Sequence, residues 1–269
     1  KDLTQNLPRK FKISFGGCNG CGLAPIHDIG LKAVVKNKVR GFQAMIGGGL
    51  GSFPHSALPL TDFIPADNLL QMCEALVAVF DKYGDKKNRN KARFKFVVDK
   101  LGMEKINKLY DEEYAALNNK TYPSIEIDVK ETLSFPDFQS ADCDADPEFQ
   151  LWKSRNIEAQ KQDGFHNVQI KLILGDFTIP QARGLADMAK NFAAGKLVAT
   201  VNQNLMIPWV KEKAFGNLFS ELKKINLHKA GTEEIRDITC CPGSETCNLG
   251  ITASRGLVDS LNTEMEKEL

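Results

Sequence analysis

Nowhere in the 269 residues does an apolar run approach the roughly 18 that a membrane-spanning helix needs, and the opening KDLTQNLPRK has no apolar signal region. No membrane partner is expected, and the chain reads as cytoplasmic. An excess of one charge is also missing: 35 Lys and Arg stand against 34 Asp and Glu, for a net charge of +1. A general nucleic-acid binder carries a strong basic excess, so no nucleic-acid partner is expected and any anion site must be local. Seven cysteines, an odd number with several close together, favour metal binding or plain burial over a disulfide framework. Hydrophobic residues at 42% and charged residues at 26% are ordinary for a globular protein, and the length suggests two domains or parts of two. The chain begins with Lys1 rather than Met, which suggests a fragment.

Residues 10–15, KFKISF, alternate polar and apolar side chains as a half-buried strand does, so the lysines and phenylalanines should face opposite ways. Apolar residues then recur at helical spacing from Leu69 to Tyr83, with Gly84 as a C-terminal stop, and a second helix is read over Ala92–Leu101, closed by Gly102. The stretch 121–163 carries Pro123, Pro136, Pro147 and the acidic run ADCDADPE without sustained periodicity, and is read as a linker. Beyond it, 168–174 reads as a strand, Thr178 to Gln181 as a capping box, and a helix runs to about Ala194 before Gly195. Residues 197–202 read as another strand and 215–225 as another helix, an order that implies an α+β unit.

Several short motifs carry chemistry. Cys241 and Cys247 are separated by five residues that include a Pro-Gly turn, which can bring two thiolates to one iron–sulfur cluster or leave two small thiols beside a turn. Lys10 and Lys12 would share one side of a strand, either as solvated charge or as an anion site. Six basic residues lie between Lys86 and Lys95, a wet face unless a polyanion meets them. Gly47, Gly48 and Gly49 permit close backbone approach but can equally form a turn. Asn202, Gln203 and Asn204 offer donors and acceptors at a strand end, where turn chemistry is the alternative. Cys18 and Cys21 sit in a glycine-rich turn and read as incidental thiols; Cys73 and Cys143 read the same way, and His55, His166 and His228 receive no role.

Taken together, LPRKFK (7–12), IGGGLG (46–51), KNRNKARFKF (87–96), TVNQNLMI (200–207) and CPGSETCNLG (241–250) resemble, in order, the sirohaem- and [4Fe–4S]-dependent nitrite and sulfite reductases. The resemblance implies an α+β fold: the C-terminal part of a mixed-sheet sirohaem domain over 1–120, a linker over 121–163, a ferredoxin-like half domain over 164–236 and the start of a second cofactor domain over 237–269. It implies that Lys10 and Lys12 hold the anionic substrate. Arg89 and Arg93, with Gly47, Gly48, Gly49, Asn202, Gln203 and Asn204, would meet the sirohaem, and Cys241 and Cys247 would supply half of the cluster ligands. Nitrite reductases of the family commonly carry asparagine where this chain has Lys12, so sulfite reduction to sulfide is the leading expectation. The alternatives are nitrite reduction to ammonia and an inactive apo interaction module. Electrons would come from ferredoxin or a flavoprotein. The chain alone, lacking the family's second cysteine pair, is expected to hold neither cofactor.

Overall fold

The computed structural model describes residues 4–17, 22–124 and 133–268, so Cys18 and Cys21 lie outside the described residues. It divides into two compact units, Lys1–Val129 and Lys130–Leu269.

The first unit is built on a four-stranded sheet in the order β1 (Ile13–Gly16), β2 (Ile29–Lys36), β3 (Val39–Ile46), β4 (Leu58–Pro65). β1 runs parallel to β2 and the other pairs are antiparallel, which makes the sheet mixed. Asn37 and Lys38 both have positive φ, 51° and 65°, and close the β2–β3 hairpin as a two-residue turn whose twist suits the strands. That turn sets a register in which Ile29 faces Ile46 and Leu31 faces Ala44, and all four are fully buried. Helices α1 (Leu69–Tyr83), α2 (Phe94–Leu101) and α3 (Met103–Ala116) supply the rest of the core. In α1 the stripe Leu69, Met72, Leu76, Val79 and Phe80 follows helical spacing and is buried throughout.

Three expectations change here. Gly84 follows α1 with an extended backbone rather than a left-handed stop; its need for glycine is steric, since a Cβ would lie 2.5 Å from Pro8 Cγ. Strand β1 starts only after Lys10 and Lys12, and although Phe11 packs on Phe80 and Phe94 with ring centroids 5.3 and 5.5 Å apart, Phe15 is 58% exposed. The lysine–phenylalanine alternation therefore holds at Phe11 and not at Phe15. Finally, α3 was not read from the sequence, because only Ile106 and Leu109 of its 14 residues are buried.

The second unit carries a wholly antiparallel sheet in the order β5 (Ile157–Ala159), β6 (His166–Ile170), β8 (Leu205–Val210), β7 (Val198–Ala199). Helices α4 (Pro147–Asn156), α5 (Ile179–Phe192), α6 (Phe215–Lys224) and α7 (Ser254–Glu268) complete it. The stretch read as a linker holds α4: the Asp146 side chain accepts a hydrogen bond from Glu148 N at 2.8 Å, Pro147 follows at the first helical turn, and Phe149 and Trp152 are buried against Phe219. The capping box is present, with Gln181 N donating to Thr178 Oγ1 at 3.4 Å and Thr178 N donating to Gln181 Oε1 at 2.8 Å. The strand read over 197–202 shrinks to Val198–Ala199, because Gln203 at φ 62° turns the chain into β8. The fold is α+β, a mixed sheet followed by an antiparallel one. Among the described residues no helix is long and apolar enough to cross a membrane.

Candidate functional site

In the first unit the motif residues converge on one that the sequence did not single out. Asp28, which just precedes β2, is fully buried, and its Oδ2 accepts hydrogen bonds from Lys12 N at 2.8 Å and Arg93 Nη2 at 2.9 Å. Its Oδ1 accepts from Arg93 Nη2 at 3.1 Å and Nε at 3.3 Å. Burial pushes the Asp28 carboxyl above the ordinary aspartate range, and the Arg93 guanidinium and Lys12 N–H partly restore its acidity. The main chain joins in: Ile29 N donates to Lys12 O at 3.1 Å and Gly47 N to Asp28 O at 3.0 Å. The structure thus brings Lys12, Gly47 and Arg93 together, while the Lys10 and Lys12 side chains remain exposed.

The basic run divides into an outer and an inner part. Lys86, Lys87, Arg89 and Lys91 are exposed, with Arg89 in the short 3-10 turn Arg89–Lys91. Arg93 points inward to Asp28, and Lys95, 3% exposed, donates from Nζ to Leu50 O at 3.0 Å and also to Phe53 O. Lys95 thereby straps down the loop after the glycines, and burial lowers its pKa. The three glycines are crowded by protein atoms. A Cβ on Gly47, whose φ is 77°, would lie 2.9 Å from Val98 Cγ2, and one on Gly48 would lie 2.2 Å from Pro25 O. At Gly49 it would lie 3.2 Å from Arg93 Nη2. At Gly47 and Gly48 the packing of the chain itself requires glycine, while at Gly49 the neighbours are the ends of the Arg93 and Lys95 side chains.

In the second unit, Pro242 and Gly243 open a short 3-10 turn, Gly243–Glu245, between the two motif cysteines. Gly243 has φ 60°, and a Cβ there would lie 2.5 Å from Thr252 O, so the turn admits no side chain. Cys247 N donates to Gly243 O at 3.1 Å. Both Cys241 and Cys247 are exposed, and the Ser254 hydroxyl beside Cys241 Sγ, at 3.5 Å, holds its thiol below the ordinary range. An exposed, thiolate-favouring cysteine suits a soft metal. Two such ligands are half of what a [4Fe–4S] cluster takes. Among the described residues no group of three or more His, Cys, Asp or Glu is poised to hold a metal ion.

Of the three amides, Gln203 braces this segment directly and the other two brace the chain before it. Gln203 Nε2 donates to Cys240 O at 2.8 Å and its Oε1 accepts from Cys240 N at 3.1 Å, so one side chain pairs with both backbone groups next to Cys241. Asn204, 2% exposed, accepts from Leu172 N at 2.8 Å and donates to Asp237 Oδ2 at 2.7 Å, and Asn202 reaches Glu233 at 3.3 Å. Asn204 is therefore an internal bracket in this chain, with its amide oxygen and nitrogen both engaged by protein partners. Cys73 is half-buried, its thiol pushed up to about 11 by burial, and Cys143 packs against the second core.

Residues 2–117 match the family described as nitrite and sulphite reductase 4Fe-4S domain, and residues 158–225 the nitrite/sulfite reductase ferredoxin-like half domain; Cys241 and Cys247 lie beyond both segments. The chain is 30% identical over 263 residues to the assimilatory ferredoxin-dependent nitrite reductase of Haloferax mediterranei, covering 94% of this chain and 43% of that protein. It is 26% identical to the ferredoxin–nitrite reductase of Synechococcus elongatus, covering 98% and 48%. Among solved structures, that of the Mycobacterium tuberculosis NirA protein matches with a TM-score of 0.72 at 23% identity, covering 97% of this chain and 44% of that one, a likeness of fold. The chain spans less than half the length of these relatives.

Proposed function

The chain belongs to the nitrite and sulfite reductase family, and on that premise we propose that it forms part of a larger oxidoreductase that reduces nitrite to ammonia with electrons from ferredoxin. The observation that carries the substrate is the naming of relatives aligned over nearly the whole chain as ferredoxin-dependent nitrite reductases. When bound, sirohaem supplies the iron that takes the anion and the [4Fe–4S] cluster supplies its electrons.

The protein's own residues bind, orient and hold protons. Lys10 and Lys12 are compact cations with three N–H donors each at Nζ; they attract the oxyanion, and in a site closed to water they stabilise negative charge on oxygens that leave. Their exposure in this chain leaves both ammonium groups accessible. Arg89 is placed to meet a carboxylate from outside, whereas Arg93 would meet one only while sharing its guanidinium with Asp28. Cys241 and Cys247 supply two of the cluster thiolates. Gln203 acts one step back, by fixing the backbone at Cys240.

Lys12 favours a second reading. In the resemblance that position is commonly asparagine in nitrite reductases and lysine in sulfite reductases, so sulfite is the rival substrate. Turnover of both anions by the whole protein, loaded with both cofactors and supplied with reduced ferredoxin, decides between them. A higher kcat/KM for nitrite is expected; a higher value for sulfite establishes the second reading, and no turnover of either ends both. In the same assay Lys12→Asn should lower sulfite turnover more than nitrite turnover, because sulfite sheds more oxygen.

A further inference from the structure

Asp28 takes no part in the chemistry just described, yet its side chain and main chain tie three distant segments together. Its carboxylate holds the Lys12 amide 16 residues before it and the Arg93 guanidinium 65 residues after it, and its carbonyl accepts from Gly47 N. We propose that Asp28 is a positioning residue: from one enclosed carboxylate it sets both the backbone that carries the Lys12 ammonium and the inward-facing arginine of the basic run. This rests on the reading of Lys12 as an anion-binding residue.

Three features separate this from an ordinary buried ion pair. Asp28 has no exposed surface, so it can act on a ligand only through the groups it holds. Next, Lys12 is fixed from both sides, by the Phe11 ring seated on Phe80 and Phe94 and by its own amide on Asp28, while its side chain is exposed; the backbone is rigid where the cation must be aimed. Last, the chain makes room for the clasp at Gly49, where a Cβ would crowd the Arg93 guanidinium at 3.2 Å. A carboxylate that only neutralised Arg93 would have no use for the Lys12 amide.

The two links can be cut separately. Asp28→Asn keeps a carbonyl oxygen for the Lys12 amide but removes the charge facing Arg93, whereas Asp28→Ala removes both. In the whole, cofactor-loaded protein Asp28→Ala is expected to raise KM for nitrite about tenfold, the scale of one lost hydrogen bond, with a much smaller change in kcat, and Asp28→Asn to raise it about threefold. Hydrogen exchange at the Lys12 amide should quicken in Asp28→Ala while amides of the Leu69–Tyr83 helix stay protected. A folded Asp28→Ala protein with wild-type KM overturns the proposal even if Lys10 and Lys12 prove essential. Where Asp28→Ala does not fold, an Asp28→Asn protein with wild-type KM overturns it instead. A wild-type protein that turns over neither nitrite nor sulfite overturns the functional reading and this role with it, an outcome distinct from a failure confined to the Asp28 variants.

Discussion

The two candidate regions hold their reactive side chains by different means. Around Lys12 the backbone is locked by a charged, buried clasp, with Asp28 fully enclosed and Arg93 14% exposed, and a second buried cation, Lys95, ties down the neighbouring loop. Around Cys241 the bracing lies nearer the surface: the Gln203 amide pairs with the Cys240 backbone, Asn204 donates to Asp237, Arg255 pairs with Glu245 in the turn at 3.1 Å with the Glu245 side chain half exposed, and both motif thiols are exposed. A buried clasp is costly to break, since removing one partner of a buried pair loses about 3–5 kcal/mol, whereas a half-exposed ion pair or a single hydrogen bond contributes nearer 1 kcal/mol. The lysine region is therefore preformed. On the proposed reading the cysteine region is half of a cluster site, whose rigidity would come from the metal and from further ligands.

That contrast can be broken most severely at the cysteines. Cys241→Ser or Cys247→Ser in the whole protein should reduce cluster iron and acid-labile sulfide to background, and stoichiometric iron in either variant would contradict the ligand assignment. The 269-residue chain purified alone should be colourless for the same reason. Next in size come the two cores. Phe80→Ala in the first and Trp152→Ala in the second should each cost about 3–5 kcal/mol, read from denaturant midpoints, because both side chains are fully buried. A loss below about 1 kcal/mol at either would show that its unit is not packed as described.

Alkylation of the native chain sharpens the contrast kinetically. Exposed Cys241 and Cys247 should be modified early, and Cys73, half-buried with a thiol pushed up to about 11, late. Early labelling of Cys73 would place α1 differently. The smallest effect is expected at Glu148, whose carboxyl is held below the ordinary range chiefly by its hydrogen bond from Lys223. A depressed pKa stabilises the fold above the unfolded carboxylate range, and that contribution disappears as pH falls through the folded value. Glu148→Gln should therefore lower stability slightly at neutral pH, less at high salt, and match wild type in acid; a deficit that persists in acid would mean the side chain acts by packing.

What the sequence revealed followed the range of its signals. α1 was legible from its stripe, and α5 from the Thr178–Gln181 box, because both are written in neighbouring residues. α4 was hidden by an acidic run that looks like a linker, although Asp146–Pro147 is a helix start, and α3 by a stripe of only two buried residues. Lys10, Lys12, Arg93, Cys241 and Cys247 could be named from motifs. Asp28 could not, since its partners lie 16 and 65 positions away and no local pattern marks a lone aspartate. Nor could the inward turn of Arg93 and Lys95 be seen, because within a basic run the buried cations look like the wet ones. Substrate preference divides in the same way: the single residue Lys12 points to sulfite, and the relatives aligned over the whole chain are named for nitrite.

On the proposed reading the exposed ammonium groups of Lys10 and Lys12, the second carried on a locked backbone, take the anion while the cysteines hold the cluster. The most direct test is the KM for nitrite of Lys10→Ala/Lys12→Ala in the whole protein, measured beside its iron content and the optical band of its macrocycle. Loss of two charge-assisted contacts should raise KM by about a hundredfold or more with iron and the optical band unchanged. A wild-type KM in a protein with full cofactor content would contradict the account.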